Sequence, residues 1–161
     1  MAAAAEALTV GSKAPAFSLP DQNDQPTKLG DFKGRWVVLY FYPKDDTPGC
    51  TIEACDFTGG LKGFEKLDAV VLGCSADSTE RHRKFIAKYK LKITLLSDPE
   101  HEVVQRYGAW GEKNLYGKIS MGIIRSTVII DPQGRVAHHY TKVSAKGHAE
   151  AVRDKLKELR G

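Results

Sequence analysis

Two cysteines, Cys50 and Cys55, lie close together just after an apolar run, and the residues before Cys50 decide its chemistry. Thr47 followed by Pro48 is a helix-start signal. Threonine can cap free backbone N–H groups, and proline fits the first helical position without losing a needed donor. In that register Cys50 is the third residue of a new helix, over exposed N–H groups and the positive end of the helix dipole. Both favour thiolate over thiol. A thiolate is a nucleophile, so a redox site is expected here. Zinc binding is not expected, because this cysteine spacing at a helix start, with no histidine nearby, does not make a tetrahedral set. Cys74 ends a second apolar run and is expected in the core.

The elements that must position Cys50 follow from patterning. Trp36–Tyr42 is apolar, aromatic and β-branched, and too short for a helix or a membrane span. It predicts a buried strand that turns a corner at Pro43. A helix is predicted from Pro48 to about Leu67, with Phe57, Leu61 and Phe64 on one face and a weak point at Gly59-Gly60, where each glycine costs about 1 kcal/mol against alanine. Residues 69–74 predict a second buried strand, and Asp77 or Ser78 caps a helix over 79–90 with Phe85, Ile86 and Tyr89 inward. A short strand over 93–96 and a short helix over 100–107 follow. Residues 108–124 hold four glycines without a clear period and are expected to be a loop. Asp131-Pro132-Gln133-Gly134 predicts the turn of a hairpin spanning 125–141. A last helix starts near Gly147 and buries Ala149, Val152, Leu156 and Leu159. Upstream, residues 13–33 allow at most a short hairpin around Asp21–Asp24. A βαβ unit followed by ββα, with a reactive cysteine where the first strand meets the first helix, points to a thioredoxin-like fold. That fold is three-layer α/β/α, a central mixed sheet with helices on both faces.

The 161 residues suit one domain, 1–161, with 1–10 a loose tail. A hydrophobic fraction of 42% and a charged fraction of 27% are ordinary for a globular protein. The net charge of +4 is mild and scattered, which argues against nucleic acid as a partner. No stretch approaches the roughly 20 apolar residues of a membrane helix. Three cysteines are too few for a secreted disulfide framework, and the N-terminus lacks the features of a signal or transit peptide. A reducing cytoplasm is the expected compartment.

Pro43-x-x-x-Thr47-x-x-Cys50 resembles the peroxiredoxin active-site signature. With Cys55 following, and Phe41-Tyr42-Pro43-Lys44-Asp45-Asp46-Thr47-Pro48-Gly49-Cys50-Thr51 matching throughout, the chain resembles the bacterioferritin comigratory protein, or peroxiredoxin Q, branch. The similarity runs from Gly11 to the C-terminal helix. It implies a thiol-specific peroxidase that reduces hydrogen peroxide and small organic hydroperoxides as antioxidant defence. Cys50 is then the peroxidatic nucleophile and Cys55 the resolving cysteine. By the resemblance, Arg125 comes back across the sheet to Cys50. No metal or organic cofactor is implied. Thioredoxin or a similar dithiol is the implied reductant, and a monomer or weak dimer the implied state.

The chemistry fits these residues. Thr47 can orient the sulfur or the peroxide through its hydroxyl. Pro43 packs over the site without offering a competing N–H. Arg125 supplies a fixed positive charge for the thiolate and for the charge developing on the peroxide oxygen. Attack breaks the O–O bond and leaves Cys50 as a sulfenic acid. On an intact helix, residues five apart have Cα atoms roughly 8–9 Å apart on faces about 140° apart, whereas a disulfide needs less than about 7 Å. If Cys55 resolves Cys50, the first turns of the helix must unwind. Asp45 is expected to be solvated, and Glu53 either to favour the helix dipole or to bind Arg125. His138 and His139 alternate faces and cannot share a site, and Tyr42 and Tyr140 are expected to be core or edge aromatics. A general thiol–disulfide oxidoreductase is weakened by the absence of Cys-x-x-Cys. A redox-sensing binding or holdase module remains an alternative of another class.

Overall fold

The computed structural model describes residues 8–161. The organising strand is β3, Trp36–Phe41. Its side chains alternate between two cores. Val37, Leu39 and Phe41 face one, and Val38, Tyr40 and the following Tyr42 face the other. A strand covered on both faces has no polar side, which is why its sequence is an unbroken apolar run. Each fully buried large side chain here contributes about 1.5–3 kcal/mol.

β3 pairs in parallel with β4 (Ala69–Ser75), and β4 in parallel with β5 (Thr94–Ser97). On its other side β3 pairs antiparallel with β8 (Ser126–Ile130), which pairs antiparallel with β9 (Val136–Tyr140). The order is β5-β4-β3-β8-β9, the mixed sheet expected. One face is covered by α1 (Pro48–Gly59), α2 (Leu61–Lys66), α3 (Thr79–Tyr89) and α5 (His148–Arg160), through Phe57, Phe64, Phe85, Val152 and Leu156. The other is covered by α4 (Glu102–Arg106), through Val103 and Val104, and by the N-terminal segment, through Ala14, Phe17 and Leu19. That segment carries the small hairpin of β1 (Ser18–Pro20) and β2 (Pro26–Lys28).

Three expectations are corrected. The helix from Pro48 does not run unbroken to Leu67. Gly60 ends α1 and opens α2, which is the weak point of Gly59-Gly60 made visible. The tail over 1–10 lies outside the described residues up to residue 7. From Leu8 onward the chain is tied down, Leu8 N donating to His139 Nδ1 at 2.8 Å and Gly11 N to Val136 O at 2.8 Å. Residues 108–124 are not a loop but hold the antiparallel hairpin of β6 (Trp110–Leu115) and β7 (Lys118–Ile123). Its turn residues Tyr116 and Gly117 both have positive φ, 55° and 81°, as a tight hairpin turn requires. Most of β7 is exposed, so no face imposes the alternation by which a strand is recognised.

Candidate active site

Cys50 is 1% exposed, in the first turn of α1, as the Thr47-Pro48 start requires. Thr47 is the residue before the helix, but its hydroxyl does not cap it. Thr47 Oγ1 donates to Lys44 O at 2.9 Å, turned back into the loop. That leaves the helix start without a side-chain cap. Only the hydroxyl's lone pairs remain for a ligand.

Arg125 directly precedes β8, the antiparallel neighbour of β3, and this pairing carries it to the end of β3 from which α1 departs. Its Nη2 lies 3.1 Å from Cys50 Sγ, and its Nη1 donates to Glu53 Oε1 at 2.6 Å. One guanidinium therefore bridges two residues three apart on one helix face. Glu53 is 0% exposed and lies in the second turn of α1. The alternative of binding Arg125 holds, and the helix-dipole role does not. Burial raises the Glu53 carboxyl from 4.5 to about 7, against the lowering effect of Arg125's charge and hydrogen bond. Among the described residues, Glu53 Oε2 has no hydrogen-bond partner. Gly49 makes the approach of Arg125 possible, since a Cβ there would stand 3.0 Å from Nη2. His148, at the start of α5, bonds Thr127 on β8 at 2.8 Å and so ties down the strand behind Arg125. Burial and then Arg125's charge push His148 down to about 4, so its ring is neutral around pH 7.

Pro43 is half-buried and lines a cleft of about 470 Å³ with Arg125, Ile124 and Val143, edged by Lys113 and Lys142. Cys55 lies within α1 like Cys50, and both thiols are free. It is half-buried against a separate cleft of about 490 Å³ with Gly59, Gly60 and Arg153. Burial and Asp56 push its thiol above the ordinary value of 9.0. Cys74 is buried in the core on the opposite face of the sheet.

A family model described as the AhpC/TSA family matches residues 10–139. The chain belongs to this family. It is 45% identical over 152 residues to peroxiredoxin Bcp of Bacillus subtilis, covering 94% of this chain and 97% of that one. To peroxiredoxin Bcp of Escherichia coli K12 it is 42% identical over 151 residues, covering 94% and 97%. The structure of Xanthomonas campestris bacterioferritin comigratory protein, a protein described for alkyl peroxide reduction, matches with a TM-score of 0.86 at 40% identity, covering 90% of this chain and 92% of that one. This peroxiredoxin is thus a thiol peroxidase of the bacterioferritin comigratory protein branch, with the thioredoxin-like fold.

Within the peroxiredoxin site, sequence reasoning misplaced Asp45. It is 3% exposed rather than solvated, with Tyr42 Oη donating to Oδ1 at 2.5 Å and His82 Nδ1 2.7 Å from Oδ2. His82 itself went unremarked, although it falls three residues before Phe85 on the inward face of α3. That spacing is the signal that could have found it. Asp45, Asp77 and His82 bring potential metal ligands within 4.8 Å of one another. Their ligand atoms are already engaged by Tyr42, Ser75, Arg81 and each other, so the cluster is a hydrogen-bond network. Among the described residues, no helix is long and apolar enough to cross a membrane.

Proposed function

We propose that this peroxiredoxin reduces hydrogen peroxide and small organic hydroperoxides with Cys50 as nucleophile and Cys55 as resolving cysteine, recycled by thioredoxin or a similar dithiol. The observation that carries this is the guanidinium of Arg125 spanning Cys50 Sγ and Glu53. Glu53, the second partner, holds this fixed cation at the sulfur while negative charge develops on the departing oxygen. The thiolate attacks the terminal peroxide oxygen, the O–O bond breaks, and the alkoxide or hydroxide leaves and takes a proton. Cys50 becomes a sulfenic acid.

Cys55 then attacks the Cys50 sulfur, water leaves, and a disulfide forms. Within α1 the two thiols face different surroundings, so the first turns must unwind for this step. A dithiol returns both cysteines to thiols. Thr47 accepts a hydrogen bond from the peroxide, and Pro43 walls the entrance. Both cysteines of this cycle lie in one helix, α1, so the reading needs no second subunit and takes the state as a monomer or weak dimer. A cycle that consumes dithiol supports a cytoplasmic setting.

Intact mass after mixing reduced protein with peroxide tests this. The wild type should lose two hydrogens, Cys55→Ser should stop at one added oxygen, and Cys50→Ser should not react. With thioredoxin, its reductase and NADPH, peroxide should be turned over. No peroxide consumption by the wild type refutes the reading.

A further inference from the structure

The loop between β3 and α1 is bound to the rest of the molecule by a buried hydrogen-bond network. Asp45 is the centre of this attachment. His82 is fully buried, and its Nε2 lies 2.9 Å from Leu96 O, a carbonyl that can only accept, so Nε2 carries a proton. The 2.7 Å contact between Nδ1 and Asp45 Oδ2 must then hold a second proton, on whichever atom it rests. Tyr42 donates to the other carboxyl oxygen, and Asp45 N donates to Asp77 Oδ2 at 2.8 Å. Asp77 is held in turn by Ser75 Oγ at 2.7 Å and Arg81 Nε at 2.8 Å. The next residue, Asp46, has φ 60° and takes Lys88 Nζ at 2.8 Å and Tyr89 Oη at 2.7 Å.

Beyond Asp46, Thr47 makes no side-chain cap, and the first turns of α1 are held by polar side-chain bonds through Arg125, at Cys50 and Glu53. At the far end of α1 Thr58 Oγ1 accepts from Lys92 N at 3.2 Å. A buried, fully bonded polar pair selects one conformation strongly, because any displacement leaves desolvated groups unpaired.

We propose that Asp45 and His82 are positioning residues of the peroxidase cycle. The pair pins the loop to α3 and β5, so that the Cys50 turn forms in register with Arg125 and, when it unwinds, does so between two fixed points, Asp46 and Thr58. The second half of this rests on the Cys50–Cys55 reading. The pair touches no reacting atom and acts through the loop.

The test separates the two chemical steps by rapid quench and mass spectrometry. In Asp45→Ala the loop loses its bonds to Tyr42 and His82, and sulfenic acid formation should slow roughly 10–100-fold, the scale of a misplaced reacting group. Disulfide formation from the sulfenic acid should not slow. Asp45→Asn restores the bonds without a carboxylate, its amide donating to His82 Nδ1 and its oxygen accepting from Tyr42. It should run within about threefold of wild type, as expected where hydrogen-bond geometry and not charge is what counts. Wild-type attack by Asp45→Ala, equal slowing of both steps, or an Asp45→Asn variant no faster than Asp45→Ala would each overturn the proposal. If Asp45→Ala does not fold, Tyr42→Phe removes one bond to Asp45 and keeps the ring. It should slow attack several-fold, and an unchanged rate overturns the proposal. Failure of the Cys50–Cys55 reading is visible separately, as a wild type that forms sulfenic acid but no intramolecular disulfide. The attack measurement still judges the pair in that case.

Discussion

Glu53→Gln is the most informative single substitution, because it isolates one buried carboxyl whose ionisation is coupled to the site. The carboxyl is 0% exposed, one oxygen accepts from Arg125 at 2.6 Å, and the other has no partner among the described residues. Burial outweighs the attraction of Arg125, so the group ionises at about 7 in the folded protein against an ordinary 4.5. Between those values the folded state keeps a proton that the unfolded chain has lost. Stability from this group is therefore full below about 4.5 and is lost as pH rises through about 7. The rise is worth roughly 3 kcal/mol. Glutamine keeps an oxygen for Arg125 and has no charge to pay for, so its stability lacks this pH dependence.

The comparison belongs in a Cys50→Ser background, which keeps the reactive sulfur out of the measurement. From about pH 5 to about pH 8 the glutamine variant should gain on the glutamate protein by about 5–10 °C in Tm, since each kcal/mol moves a chain of this size by about 2–4 °C. Calorimetry or circular dichroism at several pH values reads this directly. A pH-independent gap would refute the reasoning. A gap moving the other way would show that the ion pair with Arg125 dominates over burial.

Three further outcomes follow from the same geometry. Gly49→Ala places a methyl 3.0 Å from Arg125 Nη2. It should slow sulfenic acid formation roughly tenfold by displacing the guanidinium, with little change in Tm. Arg125→Lys offers one compact ammonium where two partners are now bridged. Attack should fall roughly 10–100-fold with an unchanged far-ultraviolet spectrum, and a rate near wild type would remove Arg125 from the mechanism. In Gly59→Ala/Gly60→Ala both new methyls find room, the closer standing 3.5 Å from Asp56 O. The added helix propensity, about 1 kcal/mol per site, should slow disulfide formation but not sulfenic acid formation. An unchanged disulfide rate would show that the helix break has no part in unwinding.

Much of the frame was legible in the chain because its signals are local. The buried strand at β3, the Thr47-Pro48 helix start, the Asp131–Gly134 turn and the amphipathic α5 each depend on neighbours within a few residues. Where local and distant terms compete, reading failed. The β6–β7 hairpin carries no alternation because most of β7 is exposed, so only Tyr116-Gly117 marks it. Thr47 has the right position for a cap, yet its hydroxyl bonds Lys44 O. Asp45 looks like any loop carboxylate, and its burial depends on a histidine 37 residues away.

Taken alone, the sequence determined where a cysteine meets the start of a helix, and therefore that this is a place for thiolate chemistry. It also determined, from spacing on a helix, that Cys50 and Cys55 cannot join without unwinding. Only the tertiary structure decided what stands against the sulfur. The antiparallel pairing of β8 with β3 brings Arg125 across 75 positions of sequence to Cys50. The closure of helices over that face excludes water from Glu53, giving the carboxyl its perturbed titration. Charge interactions and desolvation act through space, and distance along the chain does not carry them.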